Sequence, residues 1–130
     1  MRVLLVDDHS MTRKEMSSLI GEYSDLDIIG EASSAVEAVE KATALHPDVV
    51  VMDLVMPGMN GIDATRKISA ECGGIQILAL SNHSGKHMVQ AVMRAGANGY
   101  VRKDHAFEEL IPAIRCVAGG GSYIGSEVND

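Results

Sequence analysis

Five times along the chain a short, unbroken apolar run is followed by a segment whose apolar residues recur every three or four positions. The runs are Val3 to Val6, Asp27 to Gly30, Val49 to Met52, Ile75 to Leu80 and Gly99 to Val101. Between them, Met16, Leu19, Ile20 and Tyr23 fall at helical spacing. So do Ala35, Ala38, Val39, Ala42 and Leu45, and the clearest stripe is Phe107, Leu110, Ile111, Ile114 and Val117. Weaker stripes follow Asn60 and Lys86. Strand and helix in strict alternation require a parallel sheet, because parallel neighbours need a crossover and a helix is the usual one. The runs are apolar throughout rather than at every second residue, which fits strands covered on both faces.

Right-handed crossovers leave few arrangements for five such units. The expected fold is α/β: a flavodoxin-like, doubly wound five-stranded parallel sheet in the order 2-1-3-4-5, with five helices. At 130 residues the chain is one domain, long enough to bury about two-thirds of its unfolded surface. Eleven Lys and Arg against eighteen Asp and Glu leave a formal charge of −7, a field that repels phosphate backbones and argues against direct nucleic-acid binding. Cys72 and Cys116 have no His or Cys at ligand spacing and read as free thiols in a reducing compartment. Only four apolar residues in a row precede Asp7, too few for a signal peptide or a membrane span, so a cytoplasmic location is expected.

The polar residues that interrupt this pattern fall at one place in each unit. Asp7 and Asp8 follow the first strand, Asp53 the third, Ser81 the fourth and Lys103 the fifth. All are carboxyl ends, and the ligand crevice of an open α/β sheet lies outside those ends, where strand order reverses. Strands spaced about 4.8 Å apart bring Asp8 and Asp53 within reach of one ion. Gathered carboxylates raise each other's pKa unless a cation joins them, and a set of oxygen donors suits Mg²⁺. Helix capping accounts for Asp7 or Asp8 alone, but not for acids converging from separate strands. Mg²⁺ in an incomplete carboxylate site commonly meets a phosphoryl group, and an aspartate can itself attack phosphorus. Lys103 and Ser81 then offer a charge and a hydroxyl, although each residue type is also ordinary at a strand end.

The segments VDDHSMTRKEM, VVVMDLVMPGMNGID, LALSNHS and NGYVRKD together resemble the receiver domain of two-component response regulators, over Arg2 to about Ala118. The resemblance implies that Asp53 is the phosphoacceptor, that Asp8 binds Mg²⁺ directly and Asp7 mainly through water, and that the Val55 carbonyl is a further ligand. Ser81 would close on the phosphoryl group, Lys103 would be its counter-ion, and Tyr100 would be the aromatic switch, a role compatible with core packing. Pro57 and Gly58 match the turn after the phosphoacceptor, and Gly61 its close. VDDHSMTR and IPAIRCVAGGGSYIGSEV look more narrowly like the NarL and LuxR type of transcription regulator. On that footing residues 1–118 are the receiver and 119–130 the start of a linker to a helix-turn-helix output domain absent from this chain. A sensor histidine kinase is the implied partner, phosphorylation would favour a homodimer, and DNA would be met only through the missing domain.

Some residues depart from the family pattern. Ser84, Gly85 and Lys86 stand where acids are frequent, and Gly85 should loosen the start of the fourth helix. Val55 and His83 occupy positions that influence dephosphorylation in the family; an apolar Val55 cannot orient water, so slow phosphate loss is expected. Pro112 falls within the strongest helical stripe, which implies a late helix start or a kink. His9 is expected to begin the first helix rather than bind metal, His46 to end the second, and Met52, Met56 and Met59 to fill core and turn. Competing readings are a receiver acting alone through protein contacts, a Mg²⁺-dependent phosphatase and a flavin-binding domain. A phosphatase of that kind usually needs a second aspartate where Val55 stands, and three carboxylates disfavour an anionic flavin phosphate.

Overall fold

A computed structural model describes residues 1–56, 60–82, 85–126 and 128. Strands β1 (Arg2–Val6), β2 (Asp27–Ala32), β3 (Val49–Asp53), β4 (Gln76–Ser81), β5 (Gly99–Arg102) and β6 (Tyr123–Ile124) form one parallel sheet in the order 2-1-3-4-5-6. The crossovers contain α1 (Ser10–Gly21), α2 (Ala35–Leu45), α3 (Gly61–Glu71) and α4 (Lys86–Ala95), and α5 (Ala106–Ala118) joins β5 to β6. The doubly wound α/β architecture is the expected one, with a sixth strand added at its edge. No helix is long and apolar enough to cross a membrane among the described residues.

The unbroken apolar strands are explained by parity. Val3, Leu5, Val49, Val51, Leu78 and Leu80 point into a core shared with α1 and α5. Leu4, Val6, Val50, Met52, Ile77 and Ala79 point into the opposite core, shared with α2, α3 and α4. Successive strand residues face opposite sides, so a strand covered twice must be apolar at every position.

Local signals fix the helix ends. Ser34 accepts a hydrogen bond from the Glu37 amide at 3.1 Å, while the Glu37 carboxylate reaches back to the Ser33 amide at 2.7 Å, a reciprocal cap. Asn60 caps α3 through the Asp63 amide at 2.9 Å, and His46 closes α2 in the left-handed region, at φ 48°. Pro112 does not delay the last helix: α5 starts at Ala106 and runs through it. Pro112 is exposed, so the Glu108 carbonyl left without its usual donor lies on the solvent side. Phe107, the first member of the α5 stripe, is 79% exposed and borders a groove of about 600 Å³ beside Met16 and Leu19 of α1.

The sixth strand is short, and side chains hold it in place. Tyr123 donates its amide to the Asn98 carbonyl at 3.1 Å, and Gly125 its amide to the Tyr100 carbonyl at 2.8 Å. The Glu109 carboxylate of α5 accepts the Tyr123 hydroxyl at 3.0 Å and the Ser126 hydroxyl and amide at 2.7 and 3.0 Å. These donors hold the Glu109 carboxyl below its ordinary pKa against the opposing effect of burial. Glu109→Ala is therefore expected to speed amide exchange at Gly125 and Ser126 about tenfold while leaving β1 and β3 protected, as hydrogen-exchange mass spectrometry would register.

Candidate functional site

Strand order reverses between β1 and β3, because β2 lies on one side of β1 and β3 to β6 on the other. At that point the strands end in carboxylates. Asp7 follows β1 directly, its amide bonded to the Ala32 carbonyl at 3.0 Å, and Asp53 is the last residue of β3. Both are fully buried. One donor atom from each of Asp7, Asp8, His9 and Asp53 lies within 4.8 Å of all the others.

Lys103 comes to the same place from the far end of β5, opening a 3-10 turn over Lys103–His105. Its ammonium lies 3.2 Å from Asp7 Oδ2 and 3.0 Å from Asp53 Oδ2, with the side chain only 15% exposed. A cleft of about 110 Å³ opens here, lined by His9, Asp53, Val55, Asn82 and Lys103. The Val55 amide donates to Asp53 Oδ1 at 3.3 Å, so one carboxylate oxygen meets a backbone dipole and the other an ammonium.

One ammonium does not offset the cost of these buried acids. Burial pushes the Asp53 pKa up to about 6, helped by the Asp7 charge and opposed by Lys103 and the Val55 amide. Lys103 moves upward as well: burial disfavours its charge, but Asp53 and Asp7 together favour it more. Asp7 Oδ2, Asp8 Oδ1 and Asp53 Oδ2 are buried oxygens whose partners are ionic: Lys103 at 3.2 and 3.0 Å for the first and last, and the His9 ring at 3.1 Å for Asp8. Three clustered carboxylates that share one ammonium keep an excess of negative charge on oxygen donors, which is what a hard divalent cation requires, so the residues present fit Mg²⁺.

Ser81 ends β4 and Tyr100 lies on β5, and both are fully buried. Burial raises the Tyr100 pKa, against the smaller effect of its hydrogen bond with the Ser81 side chain. The residues singled out in the sequence thus converge: Asp7, Asp8, Asp53 and Lys103 form one cluster, Val55 lines its cleft, and Ser81 and Tyr100 are a hydrogen-bonded pair on the adjoining strands β4 and β5. Pro57, Gly58, Met59, His83 and Ser84 lie outside the described residues.

Three supporting residues complete the site; the sequence singles out Gly61 and His9 but not Arg13. Arg13 on α1 donates to the Asp7 carbonyl at 2.6 Å and pairs with Glu31 at 3.3 Å, pinning the acidic turn to β2. A Cβ on Gly61 would stand 2.3 Å from the Asp53 carbonyl oxygen and 2.6 Å from Leu54 Cα, so only glycine lets α3 begin against the backbone that carries Asp53. His9 turns its ring onto Asp7 and Asp8. A helix-stripe reading registers Arg13 only as a polar position.

The raised Asp53 pKa has a stability consequence of definite sign. Below the ordinary value of 3.8 the carboxyl is protonated whether the chain is folded or unfolded, and contributes nothing. Between 3.8 and about 6 only the folded state keeps the proton, so stability falls as pH rises, and above about 6 the penalty is complete. Asp53→Asn is expected to stabilise the protein at pH 7 by roughly 1–3 kcal/mol, the gain fading towards pH 4. Urea denaturation of both proteins across that range measures it.

The response regulator receiver domain family matches residues 3–115. Response regulator UvrY of Escherichia coli K12 is 39% identical over 126 residues, covering 97% of this chain and 58% of that protein. The transcriptional regulatory protein LiaR of Bacillus subtilis is 40% identical over 127 residues, covering 98% and 60%. The chain thus spans about three-fifths of the length of these relatives. Among solved structures, a LuxR-family two-component response regulator from Aurantimonas superposes with a TM-score of 0.93 at 36% identity, covering 98% of this chain and 91% of that one. The signal receiver domain of the response regulator NarL from Mycobacterium tuberculosis gives 0.87 at 28% identity, covering 92% and 96%. An acidic crevice at the switch point of a doubly wound sheet and a match along nearly the whole chain lead to one assignment: this chain belongs to the response regulator receiver domains of two-component systems, on the LuxR-type branch.

Proposed function

We propose that the chain is a phosphorylation switch in which Asp53 accepts a phosphoryl group from a sensor histidine kinase. The observation that carries this reading is the bridging of Asp7 and Asp53 by the Lys103 ammonium at 3.2 and 3.0 Å. At pH 7 a pKa of about 6 leaves Asp53 mostly ionised, and its carboxylate is held between the Val55 amide and Lys103. An Asp53 oxygen attacks phosphorus in line, the new O–P bond forms as the bond to the kinase's histidine breaks, and the leaving imidazole takes the electron pair. Lys103 then faces the new phosphoryl oxygens with its charge.

Asp7, Asp8 and Asp53 would hold Mg²⁺, with the Val55 carbonyl as a further ligand. When bound, the ion neutralises charge on the transferring group. Ser81, at the adjacent strand end, would move onto the phosphoryl group, and Tyr100 would follow through their hydrogen bond. The shift would bias a surface formed by α4, β5 and α5 towards a homodimer. Residues 1–118 would be the receiver and 119–130 the start of a linker, whose Tyr123–Ile124 pairs with β5 as β6. A helix-turn-helix output domain regulating transcription would lie beyond this chain, which itself carries −7 and would not bind DNA. Such a switch works in the cytoplasm and is not an enzyme beyond its own phosphorylation and dephosphorylation. A Mg²⁺-dependent phosphatase is disfavoured because Val55 offers no acid or base two residues after Asp53, where it is 54% exposed beside the cleft.

With acetyl phosphate and Mg²⁺, intact-mass analysis is expected to show one added phosphoryl group on the wild type and none on Asp53→Asn. Persistent labelling of the variant would overturn the assignment. Since Val55 cannot orient water, the phosphorylated form should decay with a half-life of minutes or longer; decay within seconds would remove that inference.

A further inference from the structure

Beyond α5 the chain turns back and lies as a strap along the β5 margin of the sheet. Tyr123 packs against the core under α1 and α5, whereas Val128 packs against the opposite core, the one that holds Tyr100. The strap therefore crosses from one face of the sheet to the other. Two glycines let it lie close: a Cβ on Gly99 would stand 3.0 Å from the Tyr123 carbonyl oxygen, and one on Gly125 3.3 Å from the Tyr100 carbonyl oxygen. Only Tyr123 and Ile124 pair with β5, a ladder too short to hold by itself. The strap depends on side chains instead, and Glu109 receives both Tyr123 and Ser126.

The same side chains lead back to the acidic pocket. The 3-10 turn Lys103–His105 opens with the ammonium that bridges Asp7 and Asp53. It closes with a ring whose Nδ1 lies 3.3 Å from Ser126 Oγ and 3.4 Å from Glu109 Oε2. A single short turn thus separates the group that answers the Asp53 charge from the groups that hold the strap. Loss of one hydrogen bond to a charged group shifts a local opening equilibrium about tenfold or more, so a small displacement of this turn is enough to matter.

We propose that Tyr123–Ser126 is a releasable strap whose hold on β5 and α5 is set by the Asp53–Lys103 pair through the Lys103–His105 turn. The strap is closed while Lys103 is shared by the two acids and opens when Asp53 is phosphorylated, an inference that rests on the reading of Asp53 as the phosphoacceptor. As Lys103 follows the new phosphoryl oxygens, the turn it opens is drawn with it, and His105 moves against Ser126 and Glu109. Opening uncovers parts of β5 and α5, the elements along which the switch is proposed to dimerise.

Hydrogen-exchange mass spectrometry of the 130-residue chain, with and without acetyl phosphate and Mg²⁺, tests this, with phosphorylation read from the intact mass of the same samples. Exchange at Gly125 and Ser126 is expected to rise about fivefold or more in the phosphorylated chain while β1 and β3 stay protected. His105→Ala should still take the phosphoryl group but lose most of that response. Lys103→Met, given no phosphoryl donor, should already show the faster exchange at the strap, with protection in β1 and β3 confirming that it is folded. Unchanged strap exchange in phosphorylated wild type, or a full response in His105→Ala, would overturn the proposal. No gain in mass would instead overturn the phosphoacceptor reading, and Lys103→Met alone would then decide whether pocket and strap are coupled.

Discussion

Everything at the tip of this sheet is arranged around a repulsion that one ammonium only partly relieves. Asp7 and Asp53 are fully buried and share Lys103, with Asp8 alongside. A charge taken out of water costs several kcal/mol even after relaxation, and a second like charge nearby adds to it. The core could have been made quieter with apolar residues. Keeping the acids means that the folded chain stores a demand for positive charge at one point, and the rise of Asp53 to about 6 is its direct expression. A proton acts on that imbalance directly, and under the proposed function a metal ion and a transferred phosphoryl group would act on it too.

The scaffold makes the imbalance tolerable by rigidity. β3 is flanked by β1 and β4, and its ladder continues past its end through the Leu54 amide, which donates to the Leu80 carbonyl at 3.1 Å. Gly61 brings α3 against the same backbone, and Arg13 ties down the turn that holds Asp7. With each acid held on its own support, the pocket cannot relieve its repulsion by spreading. A charge change at Asp53 would have to be answered by side chains, and under the proposed function Ser81 and Tyr100 would be the pair that answers it.

The architecture was legible because burial on two faces leaves a plain mark: Val3 to Val6 and Val49 to Met52 are apolar at every position, and the stripes between them repeat at helical spacing. The acids and Lys103 were legible because they break that pattern at strand ends. What could not be read depends on side chains distant in sequence. Tyr123 and Ile124 carry too short a signal to stand as a strand, and their placement depends on Glu109, more than a dozen residues earlier. Phe107 continues an apolar stripe past the point where the sheet can cover it, and periodicity alone does not say where cover ends. Pro112 is tolerated because it faces solvent, and the direction of the His9 ring follows from its proximity to two carboxylates rather than from its residue type.

An open sheet has two margins, and each is a template on which a foreign strand could grow. On the far side, β5 is closed by two residues whose backbone bonds end almost as soon as they begin. On the near side, β2 pairs with β1 through a register shift, and Lys41 donates to the Glu31 carbonyl. Margins this short, irregular or already engaged give an incoming chain few consecutive amides and carbonyls to pair with. Edge-to-edge pairing of one such sheet with another is thereby disfavoured.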